Sequence, residues 1–90
     1  MRRSNGEHQP LRQEDALGWI ADALSTDASL VSPATERVNL KGWDSLGQLI
    51  LMSALDQDFG IKLTEEEVSS MASVQDILDV LERHGRLRAS

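Results

Sequence analysis

Near the middle of the chain, Gly42-Trp43-Asp44-Ser45-Leu46 sets a carboxylate and a hydroxyl side by side, directly ahead of a stretch with helical apolar spacing. A serine at a helix start exposes its hydroxyl beside backbone N–H groups that lack intrahelical acceptors, at the positive end of the macrodipole. That environment suits a phosphate ester. Ser45 is therefore the residue best placed for covalent chemistry, although an isolated serine here also reads as an N-cap. Asp44 is a candidate for the cap itself, a role compatible with a functional one. The segment Gly42 to Gly47 loosely resembles a nucleophile elbow, but its glycines are one residue too far apart and no strand precedes it. The only histidines, His8 and His84, lie near the two ends, so a Ser-His-Asp hydrolase is disfavoured. Cysteine is absent, which excludes disulfides and thiolate metal sites, and no Asp/Asn spacing resembles a calcium loop.

The elements that must position Ser45 are helices. From about Leu11 or Gln13 to Leu24, the residues Leu17, Ile20, Ala21 and Leu24 recur at i, i+3, i+4, i+7 and predict a first helix. Ser25 to Lys41 contains Ser32-Pro33 and Asn39 without sustained periodicity. It reads as a long ordered loop anchored to the core by Leu30, Val31, Val38 and Leu40. Loops of this length in small domains tend to be functional. Trp43 reads as a further loop anchor, and Trp19 falls on or near the polar side of the first helix. A second helix runs from about Asp44 or Ser45 to Phe59 and stops at Gly60. Thr64-x-x-Glu67 fits a capping box opening a short third helix to about Ser70. Ser73, with Asp76 three residues on, starts the last helix, which buries Val74, Ile77, Leu78 and Leu81 and ends at Gly85. The fold class is all-α, a bundle of three main helices plus one short one, with a long loop between the first two. Residues 1–12 are expected to be a flexible leader, 13–84 the domain, and 85–90 a flexible tail.

Around the second helix the apolar residues separate into two stripes. Leu51, Met52, Leu55 and Phe59 fall on one side. Leu46, Leu49 and Ile50 fall roughly opposite, with Ser53 among them. One stripe suffices for a helix at the edge of a bundle, so the second either packs under the long loop or waits for a partner. Its start one residue after Ser45 favours a docking surface. Gly47 costs about 1 kcal/mol of helix propensity relative to alanine. Either close approach by a partner or by a group carried on Ser45 keeps it small, or it is neutral.

Ninety residues make one domain, with too little interior for both a core and a deep catalytic cleft. The net charge of -6 makes nucleic acid an unexpected partner. The acids concentrate in the second half, where they either keep a small protein in solution or steer it to basic partner patches. Glu65 and Glu66, with Glu67, are first of all favourable charge at a helix N-terminus, and secondarily a docking feature. No run of about 18 apolar residues offers a membrane span, and no apolar signal region follows Met1. A cytoplasmic monomer is expected.

Asp44-Ser45-Leu46 resembles the attachment motif of the acyl carrier proteins and their peptidyl-carrier relatives. The similarity extends over roughly Glu14 to Leu81. It takes in the apolar spacing Leu51, Met52 and Leu55, then Asp58-Phe59-Gly60-Ile61, Thr64-Glu65-Glu66-Glu67 and Ser73-Val74-Gln75-Asp76-Ile77. The resemblance implies a stand-alone, non-catalytic carrier. Ser45 would receive 4′-phosphopantetheine from coenzyme A through a phosphopantetheinyl transferase, and the arm's thiol would hold acyl groups as thioesters for acyl-loading and acyl-processing enzymes. Asp44 matches the family's acidic residue before the serine, placed to help the transferase position metal and serine. Leu46, Leu49 and Ile50 match its recognition helix. Met52, Leu55, Ile61 and Val68 match positions that shelter an acyl chain. Carriers of fatty acid synthesis usually have an acid after the leucine and more carboxylates along this helix. Here Gly47, Gln48, Leu49 and Ile50 are uncharged and Gln57 stands where an acid is common. A specialised secondary-metabolite or lipid-modification pathway fits better. The alternatives are a peptidyl or aminoacyl carrier, and a helical interaction module with no covalent group.

Overall fold

The computed structural model describes residues 10–88. Four α-helices lie in that span: α1 Gln13–Ala23, α2 Ser45–Phe59, α3 Glu65–Ser69 and α4 Val74–Arg83. Among the described residues there is no strand, only two isolated β-bridges, so the all-α reading holds. The starts of α2, α3 and α4 each have a local cause, whereas α1 begins after Arg12 without a side-chain cap. The Asp44 carboxylate accepts from Gly47 N–H at 2.8 Å and caps α2. Thr64 and Glu67 form the reciprocal capping box of α3. Those bonds, first to the Thr64 backbone and then to its side chain, hold the Glu67 carboxyl below its ordinary range. Asp76 reaches back to the N–H groups of Ala72 and Ser73 ahead of α4. At the far end of α2, Gly60 adopts a left-handed φ of 68°, and Ile61 N–H turns back onto the Leu55 carbonyl.

The core joins one face of each long helix. Ala16, Ile20, Ala21 and Leu24 come from α1 or its end, Leu51 and Leu55 from α2, and Val74, Ile77, Leu78 and Leu81 from α4. Leu17 is only half-buried, while Ala16, one residue earlier, is fully enclosed. The connection from α1 to α2 contains two short 3-10 turns, Ala28–Leu30 and Arg37–Asn39. Its anchors differ from expectation. Val31, Leu40 and Trp43 are buried, but Leu30 is 59% and Val38 86% exposed. Each exposed residue lies within a 3-10 turn, so anchoring falls to the extended residue that follows the turn, Val31 or Leu40. What ties the loop down is backbone pairing. Arg37 N–H donates to Ala72 O, while Val74 N–H donates to Thr35 O and Gln75 N–H to Pro33 O, at 2.8–3.0 Å. The loop thereby accepts from the first, otherwise unpaired, N–H groups of α4.

Residues 1–9 and 89–90 lie outside the described residues. The flanks that are described are tied to each other. Leu11 N–H donates to Arg86 O and Arg88 N–H to Leu11 O, both at 2.8 Å, as Leu11 and Leu87 pack half-buried on the core. Arg86 also donates to the Phe59 carbonyl at the end of α2. Beside it Trp19 donates to Asp58 at 2.7 Å and meets the Phe59 ring edge-on at 4.9 Å. Trp19 is thus a half-buried clamp between α1 and α2 rather than a purely surface residue.

Candidate functional site

Ser45 is the first residue of α2 and is exposed. Because Asp44 supplies the cap, the serine hydroxyl is not consumed in holding the helix together. The third and fourth N–H groups are taken, Gly47 by the Asp44 side chain and Gln48 by the Asp44 carbonyl at 2.8 Å. Those of Ser45 and Leu46 are the remaining first-turn donors of a 15-residue helix, at its positive end. A phosphate ester on the serine oxygen would lie in that field.

The approach to Ser45 is fixed by two glycines in contact. A side chain at Gly47 would overlap the Gly42 carbonyl oxygen, and one at Gly42 would overlap the carbonyl of Leu24 at the end of α1. Backbone lies on backbone at both places. Gly47 is thus kept small by the chain's own entry loop rather than by a partner or a carried group, and the contact seats the start of α2 against the end of α1. The helix-propensity cost of about 1 kcal/mol is the smaller term, since a β-carbon would force the backbone itself to move.

Beyond Ser45, α2 presents its second stripe to solvent. Leu46 is 65%, Leu49 51% and Ile50 41% exposed, and the long loop does not cover them. Ser53 is exposed further along and accepts from Gln57 at 3.3 Å. Glu65 and Glu66 are exposed in the first turn of α3, which packs against α2. A groove of about 380 Å³ lies alongside, lined by Leu49, Met52, Ser53, Asp56, Lys62 and Leu63. Of the four positions matched to an acyl shelter, only Met52 borders it. Leu55, Ile61 and Val68 are packed in the interior.

Sequence reasoning passed over Gln48. It lies one turn beyond Ser45 and is the one buried polar side chain among the described residues. Its Nε2 donates to Ser69 Oγ at the end of α3 at 3.0 Å, while its Oε1 is buried without a hydrogen-bond partner. Trp43 Nε1 is likewise buried and unpartnered. Arg37 lies between Trp43 and Ser69, with its guanidinium 5.9 Å from the Trp43 ring centroid and its Nη1 3.5 Å from Ser69 O. A buried polar atom left unpaired costs about 1–3 kcal/mol. The signal available in advance was a lone amide in an apolar row, which composition registers only as missing charge.

Fold and site together define a small helical domain that offers one serine hydroxyl at the head of an apolar, solvent-facing helix. The chain matches no protein-family model. It is 35% identical over 69 residues to the acyl carrier protein of Helicobacter pylori (strain G27), an alignment covering 77% of this chain and 88% of that protein. With the acyl carrier protein of Thermosynechococcus vestitus it shares 36% over 68 residues, covering 76% and 84%. With that of Solidesulfovibrio magneticus it shares 33% over 64 residues, covering 71% and 82%. The chain belongs to the acyl carrier protein family.

Proposed function

We propose that Ser45 is the attachment point of a 4′-phosphopantetheine arm and that the protein delivers acyl groups rather than transforming them. The observation that carries this reading is the division of labour at the head of α2. Asp44 caps the helix, so the exposed Ser45 hydroxyl is left for esterification without loss of the helix start. In the loading step the Ser45 oxygen forms a bond to the phosphorus of coenzyme A next to pantetheine. The pyrophosphate bond on the adenosine side breaks, adenosine 3′,5′-bisphosphate leaves, and the serine proton goes to base. The residues fit the group: a phosphodiester beside the free N–H groups of Ser45 and Leu46 is favoured by the helix field. When bound, the arm supplies the thiol on which acyl groups form thioesters, and a chain without cysteine offers no competing thiol.

Leu46, Leu49, Ile50 and Ser53 are the docking surface for the transferase and the acyl-handling enzymes, with Glu65 and Glu66 as its acidic border. Between Asp44 and Asp56 the chain has no charged residue. A partner therefore meets this face through apolar contact more than through charge, which supports a specialised secondary-metabolite or lipid-modification pathway over routine fatty acid synthesis. Among the described residues no helix is long and apolar enough to cross a membrane. The working state is a cytoplasmic monomer.

The test is intact mass before and after incubation with coenzyme A, magnesium and a broad-specificity phosphopantetheinyl transferase. One phosphopantetheine added to the wild type and none to Ser45→Ala is the expected result. A folded wild-type protein that stays unmodified with the source organism's own transferase would overturn it in favour of a non-covalent interaction module.

A further inference from the structure

We infer that Gln48 is a latch for the arm, its unpaired Oε1 accepting a hydrogen bond from an arm amide N–H. The inference rests on the assignment of Ser45 as the attachment point. Three observations converge on it. Gln48 is about nine-tenths buried, and its Oε1 is fully enclosed and unpaired. Native interiors rarely tolerate such an atom without a ligand or water to complete it. The other end of the same amide is held by Ser69 Oγ at 3.0 Å, so the side chain is already oriented and its free end cannot turn to solvent without breaking that bond. Finally, Gln48 lies three residues beyond Ser45 on one helix, about 4.5 Å along the axis. A phosphopantetheine arm is several times longer than that and carries two amides, each offering an N–H.

Tethering is what separates the arm from a stray solvent molecule. A single hydrogen bond to a free ligand would be sparsely populated, but a group anchored one turn away acts at high effective concentration. The contacts that close this cluster are few. Arg37 reaches Ser69 O only at 3.5 Å, near the limit of a hydrogen bond. The helix that holds Ser69 is five residues long. The latch requires the end of α3, where Ser69 meets Gln48, to move slightly away from α2 so that the arm reaches the enclosed Oε1. Gln48 thus positions the arm along α2 while leaving the thiol end free to reach a partner.

The experiment loads the full chain with a ¹⁵N-labelled phosphopantetheine arm and follows hydrogen exchange of the arm amides by NMR, with free 4′-phosphopantetheine as reference. Loading is verified by mass. The expected result is one arm amide exchanging about tenfold more slowly than the reference and showing a cross-peak to the Gln48 side chain. In Gln48→Met, a substitution of similar shape, the rate should return to that of the free compound. Should Gln48→Met fail to fold, Ser69→Ala at an exposed position takes its place, and loss of at least half the protection supports the latch. Full protection in whichever variant is folded overturns it, as does reference-rate exchange in the loaded wild type. A wild-type chain that takes no arm overturns the Ser45 assignment and the latch together, whereas loading without protection overturns the latch alone. A residue that merely tied α2 to α3 would leave the arm's exchange unchanged.

Discussion

Helices α2 and α4 stand in contrast. In α4 the apolar residues Val74, Ile77, Leu78 and Leu81 are all essentially without exposed surface, and the opposite face is charged or polar. Folding alone accounts for every one of them. In α2, Leu51 and Leu55 serve the core in the same way, yet Leu46, Leu49 and Ile50 lie on the outside. A helix with apolar residues on both faces has more of them than its fold requires. The difference teaches where to look for function: a surplus that stability does not explain, beginning one residue after an exposed serine.

The contrast is broken most strongly from the α4 side. Leu78→Ala removes a fully packed side chain where α4 meets the core and should cost about 2–5 kcal/mol. Chemical denaturation would show it as a lower midpoint with an unchanged slope. A loss well under 1 kcal/mol would mean that α4 is not the structural helix its burial suggests. Next comes Gly47→Ala at the head of α2. Propensity alone predicts a gain of about 1 kcal/mol, whereas overlap with the Gly42 carbonyl predicts a net loss of about 1–3 kcal/mol. The sign of the measured change decides between propensity and contact, and the structure calls for a loss. The smallest effect on stability is expected at the exposed stripe. Ile50→Glu should stay within about 0.5 kcal/mol of wild type, as substitutions of exposed residues usually do. It should nevertheless slow transfer from the loaded arm to a partner enzyme. A drop in thermal midpoint of many degrees with no selective loss of transfer would return Ile50 to the core.

Much of this was legible in the chain. The starts of α2, α3 and α4 follow from Asp44, Thr64 with Glu67, and Ser73 with Asp76, because each cap is made within four residues of the helix it serves. The two stripes of α2 follow from helical geometry, and Ser45 and Asp44 from a short contiguous motif. The loop was harder. Of four apolar candidates, Val31 and Leu40 face inward while Leu30 and Val38 face out. Without a repeating backbone geometry, sequence spacing has no face to point to. Gln48 was missed for a related reason. An amide's role depends on what stands opposite, and Ser69 is 21 residues away.

By itself, then, the sequence determined the helices, their ends, the serine at the head of α2 and the second apolar stripe behind it, since all of these depend on residues within one or two turns of each other. Only the tertiary structure decided which loop residues anchor the domain, why Gly42 and Gly47 must lack side chains, how Leu11 meets Leu87, and that Gln48 lies buried with one polar atom unmatched. Each of those depends on distant segments meeting at van der Waals or hydrogen-bond range, a condition that local pattern does not encode and close packing does.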